Sequence, residues 1–175
     1  MVDRPPAPRY VLTLEPLAAT TFAPFGNVIE ATEHTPHYGI NEGYAERFHD
    51  LARIDVTREG GQTLVSIFRA RPRRLPFKLS VVERHRLGSQ AFVPLSSQRF
   101  LVVVAVAGSP PRPEQLRGFV SAPGQGVNYA PGVWHHPLLA LDVGGDFLVI
   151  DRGGPGAAGD CEEHVLDHPE VWIEG

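Results

Sequence analysis

The sequence has a single cysteine, Cys161, among its 175 residues. One cysteine cannot form an intramolecular disulfide, and it cannot supply a multi-cysteine zinc site within one chain. Long hydrophobic runs are also missing, because the longest, Phe100–Ala107, is far shorter than the ~20 residues that a membrane-spanning helix needs. The proline-rich start has no apolar segment of signal-peptide length. These absences predict a cytoplasmic protein.

An excess of basic residues is also missing. The 16 Lys and Arg residues are outnumbered by 20 Asp and Glu residues, which gives a formal net charge of -4. Nucleic acid is therefore not an expected partner, since phosphate-binding surfaces usually carry a basic excess. The length and the 42% hydrophobic content predict one globular domain over residues 1–175. Within it we expect a proline-rich arm at 1–9, and a glycine-rich turn and acidic tail packed outside the core at 153–175.

Helical periodicity is nearly absent between Thr63 and Arg152. The 18 glycines and 17 prolines are scattered between apolar runs, which is typical of short strands joined by tight turns. About ten extended segments are predicted, and they favour an all-β jelly roll or barrel, whose closure removes exposed sheet edges. A turn or two of helix is expected within Leu17–Phe25, and a loop at His34–Gly43. Small barrels hold ligands in their mouths, so inward-facing polar residues are the site candidates.

The first group of such residues lies around Glu83-Arg84-His85. Glu83 and His85 are two residues apart on a predicted strand, so they share one face. After the turn at Gly88, Gln90 begins the next strand. We expect Glu83, His85 and Gln90 to converge inside the barrel.

The second group follows the turn Pro131-Gly132. It contains two adjacent histidines, His135 and His136, which a strand directs to opposite sides. The spacing from the turn favours His135 as the inward residue and leaves His136 as an exposed neighbour. A bulge beside Pro131-Gly132 would shift the register by one residue and bring His136 inside instead.

Both groups resemble the two motifs of cupins. The first cupin motif has His-x-His followed by Glu, and here Glu83 replaces the first His and Gln90 replaces the Glu. The second has a Pro-x-Gly turn followed by His, and here the turn is one residue shorter before His135. Nitrogen and oxygen ligands of this kind suit an octahedral first-row divalent ion with open positions. The set Glu83, His85, Gln90 and His135 is therefore the candidate metal site, unless these are ordinary polar groups of a β protein.

Five longer strings resemble the ureidoglycolate lyase family and span Phe25–Gly154 in the order found in that family. They are FGNVIE, ERFHDLA, ERHRLGSQAFVPL, GQGVNYAPGVWHHPL and FLVIDRGG. The resemblance implies a cupin fold and a homodimer. It also implies an enzyme that eliminates urea from ureidoglycolate to give glyoxylate in allantoin and purine degradation, with a divalent metal cofactor such as nickel.

That elimination requires removal of a hydroxyl proton and protonation of the departing nitrogen. His85, His135 and Glu83 are the candidate catalytic residues, since an acid or base near pH 7 fits a histidine or a Glu with a raised pKa. If Glu83 is not a metal ligand, it is the leading general base. The small-molecule substrate, ureidoglycolate, also needs binding residues.

Candidate substrate-binding residues are Arg47, Arg69 and Tyr129. Arg69 could grip a carboxylate with two hydrogen bonds, although both arginines could equally form surface ion pairs. Asp151 and Arg152 are expected to form an internal salt bridge, and Cys161 is given no function.

Other functions remain open. The rival enzymes are other metal-dependent cupins, such as an isomerase or a dioxygenase, and the rival binding protein is a non-catalytic small-molecule sensor. A sensor usually needs an output module, and none is visible in the sequence. For the homodimer, the apolar segment Phe92–Leu101 is the candidate surface, because a small barrel commonly hides an exposed sheet face by isologous pairing.

Overall fold

The computed structural model describes residues 8–166 and 169–174. Over these residues the chain forms short helices, α1 (Ala19–Phe22) and α2 (Ala157–Asp160), and seventeen strands. The first strands are β1 (Arg9–Val11), β2 (Leu14–Pro16), β3 (Gly26–Ile29), β4 (His37–Ile40), β5 (Ala45–Phe48), β6 (Gln62–Ala70), β7 (Phe77–Leu79) and β8 (Val81–His85). The remaining strands are β9 (Gln90–Pro94), β10 (Phe100–Ala105), β11 (Arg117–Val120), β12 (Gly126–Tyr129), β13 (Trp134–His135), β14 (Leu139–Ala140), β15 (Gly145–Gly153), β16 (Cys161–Val165) and β17 (Glu170–Ile173). The predicted all-β fold class is confirmed.

Two large sheets form the body of the fold. One has the order β16-β8-β13-β10-β11-β2, with β14 also paired to β10, and the other has the order β3-β12-β9-β15-β6. Chain segments alternate between them, since β8, β10 and β13 belong to the first sheet and β9, β12 and β15 to the second. This alternation is the jelly-roll arrangement that the turn spacing predicts, and it agrees with the cupin-like fold that the resemblance implies. Neither described helix is long and apolar enough to cross a membrane.

The main core lies between the facing sheets. Strand alternation directs every second side chain inward, so Phe92 on β9, Val102 on β10 and Phe147 on β15 are all buried there. Aromatic rings meet edge to face, for example Phe100 against Phe147, with ring centroids 5.4 Å apart. Such pairs add to the free energy of burial. This core fixes the positions of the strands that carry the polar cluster described below.

A second core covers the outer face of the first sheet. There the three-stranded sheet β1-β17-β7 packs its apolar side chains against Trp134 and Val103. The segment expected to be an external acidic tail therefore contributes α2, β16 and β17, and Val171 and Ile173 are fully buried. The N-terminal arm was expected to extend to residue 9, but Arg9 begins β1 and pairs with Glu170. The rest of that arm, residues 1–7, lies outside the described residues.

A further expectation was wrong. The predicted loop at His34–Gly43 contains β4, which pairs with β5 in a two-stranded sheet. Of the predicted dimer surface Phe92–Leu101, Leu95 is 55% exposed, whereas Phe92, Phe100 and Leu101 are buried in the protomer. These buried residues fill the two cores and are therefore unavailable to a partner.

Candidate active site

Glu83, His85 and His135 meet at the paired strands β8 and β13. His135 lies opposite Glu83 in the antiparallel ladder, and paired residues project from the same face of a sheet. His135 Nε2 lies 3.6 Å from Glu83 Oε1, and the ring centroids of His85 and His135 are 5.5 Å apart. One ligand atom from each of the three residues lies within 4.8 Å of the others. The expected convergence of these side chains is therefore present.

Gln90 and Tyr129 enclose the cluster from the facing sheet. They lie opposite each other on β9 and β12, and both are buried. Gln90 Oε1 lies 3.2 Å from His135 Nε2. The Tyr129 ring stacks on the His135 imidazole, with centroids 4.3 Å apart and planes 15° apart. The two sheets thus hold His135, which is only 1% exposed, in one orientation.

His136 faces away from the cluster. It lies under Phe77 on the outer side of its sheet, with ring centroids 5.7 Å apart, and its Nδ1 is 2.7 Å from the Pro137 carbonyl oxygen. The structure therefore has the register that directs His135 inward, without the bulge that would exchange the two histidines. His136 is nevertheless buried, and the expectation of an exposed neighbour was wrong because β7 covers that face.

The charges of the cluster follow from its burial and contacts. Burial alone raises the pKa of Glu83, but the contact with His135 and the charges of both histidines lower it overall. Burial, followed by the charge of His135, lowers the pKa of His85, although Glu83, Asp160 and Asp151 oppose this. Near neutral pH the cluster therefore contains an ionised Glu83 and a neutral His85. Burial also raises the pKa of Tyr129 well above its ordinary value and keeps the phenol protonated.

The two arginines predicted to bind substrate lie elsewhere. Arg69 projects from the outer face of β6, where Nε and Nη2 donate to the Asp146 carboxylate at 2.8 and 2.9 Å. Its side chain is 83% exposed. Arg47 is exposed on β5, in the separate two-stranded sheet, opposite Tyr38. Within one protomer both arginines are thus surface residues, because the strand register turns Arg69 outward and the separate sheet removes Arg47 from the barrel.

Cys161 was missed by sequence reasoning. It lies opposite His85 in the pairing of β16 with β8, and its Sγ is 3.8 Å from Glu83 Oε2. Burial, followed by the charge of Glu83, raises the pKa of Cys161 to about 11, so the thiol stays protonated near neutral pH. Only the pairing of β16, which is 78 residues from Glu83 in the chain, brings it to the cluster, and no local sequence signal indicates that pairing.

Known proteins match nearly the whole chain. The model of the family described as ureidoglycolate lyase matches residues 9–174. A ureidoglycolate lyase from Burkholderia cepacia is 53% identical over 158 residues, which are 90% of this chain and 87% of that protein. One from Azotobacter vinelandii is 49% identical over 163 residues, which are 93% of this chain and 96% of that protein.

A solved structure of a dTDP sugar isomerase from Desulfovibrio desulfuricans is 21% identical, covers 83% of this chain and 88% of its own, and gives a TM-score of 0.44. The family match and the close relatives decide the assignment, and this chain belongs to the ureidoglycolate lyase family.

Proposed function

We propose that this protein is a lyase that eliminates urea from ureidoglycolate to give glyoxylate, in the degradation of allantoin and purines. The observation that carries the proposal is the meeting of Glu83, His85 and His135 on β8 and β13 in a chain of this family. Ureidoglycolate carries a hydroxyl, a hydrogen, a carboxylate and a urea nitrogen on one carbon. Its elimination turns the C–O bond into a carbonyl, breaks the C–N bond and moves the hydroxyl proton to the departing nitrogen.

The roles of the side chains follow from their charges. If Glu83 is not a metal ligand, its ionised carboxylate accepts the hydroxyl proton, and its lowered pKa makes it a weaker base than a Glu with the raised pKa expected from the sequence. In that metal-free case His135 lies beside the carboxylate and is positioned to pass a proton to the nitrogen of the leaving urea. His85 is neutral and presents a nitrogen lone pair to the substrate or to a metal ion. Tyr129 holds the His135 ring by stacking, and we propose that it also lines the substrate cavity.

The same residues fit a divalent metal ion. His85 Nε2 is buried and has no hydrogen-bond partner among the described residues, as expected of a nitrogen that binds an ion. Two imidazoles, a carboxylate and the Gln90 amide oxygen are ligands that first-row divalent ions accept. We propose that Glu83, His85, Gln90 and His135 hold such an ion, with nickel the first to test. When bound, it would hold the substrate and make its hydroxyl more acidic.

The rest of the proposal concerns the whole chain. We propose one catalytic domain that works in the cytoplasm as a homodimer. The second copy is expected to pair with β6, an edge strand of nine residues that leaves Val65 66% and Ile67 53% exposed. An open apolar edge accepts another strand, and two copies of one edge can pair around a twofold axis.

The experiment that tests the function combines two measurements on one sample. The purified protein is incubated with ureidoglycolate, products are identified by NMR, and bound metals are measured by mass spectrometry. We expect glyoxylate and urea in equal amounts, together with close to one metal ion per chain. The absence of either product would contradict the lyase, while full activity after a chelator has removed all metal would contradict only the metal site.

A further inference from the structure

Asp151 lies on β15, on the face of its sheet that is directed toward the first sheet. Phe147 and Val149 on the same strand point into the core, and side chains alternate along a strand, so Asp151 has the same direction. The ladder with β9 pairs Val149 with Phe92 and Ile150 with Ala91. Continuing this register by one residue places Asp151 opposite Gln90. The side chain of Gln90 contacts His135. The charge of Asp151 also acts on His85.

The Asp151 carboxylate is incompletely paired. Its Oδ1 is buried and has no hydrogen-bond partner among the described residues. The salt bridge expected with Arg152 does not form, because Arg152 projects from the other face of β15. There its guanidinium donates to the carbonyl oxygens of Arg58 and Pro155 at 2.8 and 2.7 Å. A buried carboxylate oxygen without a donor costs free energy, so this position favours a ligand that brings N–H groups.

The ureido group has the matching chemistry. It carries N–H groups on two nitrogens held in one plane, much as the guanidinium of arginine presents neighbouring N–H groups to a carboxylate. The carboxylate of a ureido acid would be repelled by Asp151. The ligand would therefore lie with its ureido N–H groups, and not its acid group, toward Asp151.

We propose that Asp151 binds the ureido N–H groups of the substrate, which orients the substrate and selects for ureido acids. The proposal rests on the proposed lyase function. It adds a binding residue on the sheet opposite Glu83 and His85. A site that hydrogen-bonds a substrate group discriminates strongly against analogues that lack the group, because the protein atoms are then left unpaired.

The test compares two stable ligands by calorimetry on the purified protein. Oxalurate carries the ureido group but has no hydroxyl to eliminate, whereas oxamate has the acid end and a single amide. In Asp151→Asn we expect affinity for oxalurate to fall roughly 10- to 100-fold, with affinity for oxamate nearly unchanged. Asp146→Asn is the matched control, because this carboxylate lies on the same strand but on its outer face; it should bind both ligands like the wild type.

Asp151→Ser is measured in parallel, and oxamate binding reports that the cavity has folded. Unchanged oxalurate affinity in both Asp151 variants would overturn the proposal, and so would an equal loss for the two ligands. If the wild type cleaves ureidoglycolate while these outcomes occur, only the role of Asp151 fails. If the wild type neither cleaves ureidoglycolate nor binds oxalurate, the lyase function fails and the role of Asp151 fails with it.

Discussion

At the scale of single residues, His135 and His136 differ through strand direction alone. His135 contacts Glu83, Gln90 and Tyr129, whereas His136 packs under Phe77. His135→Ala should lower kcat/KM by about 10²- to 10⁴-fold, which is the usual contribution of an acid–base group. His136→Ala should change kcat/KM far less and should instead lower the free energy of unfolding. Steady-state kinetics and urea denaturation of both variants check this, and equal kinetic losses would contradict the assigned roles.

The burial of His136 also leads to a prediction of how the free energy of unfolding depends on pH. Burial lowers its pKa, and the bond to the Pro137 carbonyl and the charge of Glu83 only partly oppose this. The folded protein therefore binds this proton less readily than the unfolded chain, whose histidine pKa is about 6.5. The contribution to stability is complete above that pH and is lost as the pH falls through the lower folded value.

The variant His136→Asn cannot take up this proton. Its free energy of unfolding should therefore decline less than that of the wild type as the pH is lowered from neutral. Urea denaturation at a series of pH values measures the difference. Parallel declines in the two proteins would show that His136 does not contribute to the acid sensitivity.

At the scale of elements, the local sequence pattern predicts individual strands and their faces. The pairing of strands that are distant in the chain is not visible in that pattern. Apolar runs between turns predicted about ten extended segments, among them β8 and β9, and the shared face of Glu83 and His85 followed from strand alternation. The strands β16 and β17 were missed because they lie in an acidic segment that has no long apolar run. Strand β4 was missed because its polar, turn-rich sequence pairs only with β5. The place of Cys161 and the outward turn of Arg69 both depend on partners distant in the chain, which no local pattern reveals.

The pairing of β16 with β8 makes a prediction about Cys161. With a pKa of about 11 the thiol has little thiolate near neutral pH, and the thiolate is the reactive form. Alkylation by iodoacetamide at pH 8 should be about 100-fold slower in the folded protein than in urea, since the ordinary pKa is about 8.5 to 9. Glu83→Gln should speed the reaction of the folded protein by removing a nearby negative charge. Equal rates in the folded and unfolded wild type would contradict this pairing.

At the scale of the whole molecule, the open edge of β6 predicts the assembly. Light scattering at micromolar concentration should give the mass of a dimer for the wild type. Val65→Lys should shift the mass toward a monomer, because it places a charge on the exposed apolar face of the edge strand. Ser109→Lys, on an exposed loop, is the control and should remain dimeric. A monomeric wild type would contradict the homodimer. A dimeric Val65→Lys variant would show that the dimer interface does not include β6.

The central claim is that the cluster of Glu83, His85 and His135 performs the elimination. The most direct measurement follows glyoxylate and urea released from ureidoglycolate by the wild type and by Glu83→Gln, with circular dichroism showing that both are folded. We expect equal release of the two products by the wild type and a rate about 10²- to 10⁴-fold lower for the variant. A folded Glu83→Gln protein that releases both products at the wild-type rate would contradict it.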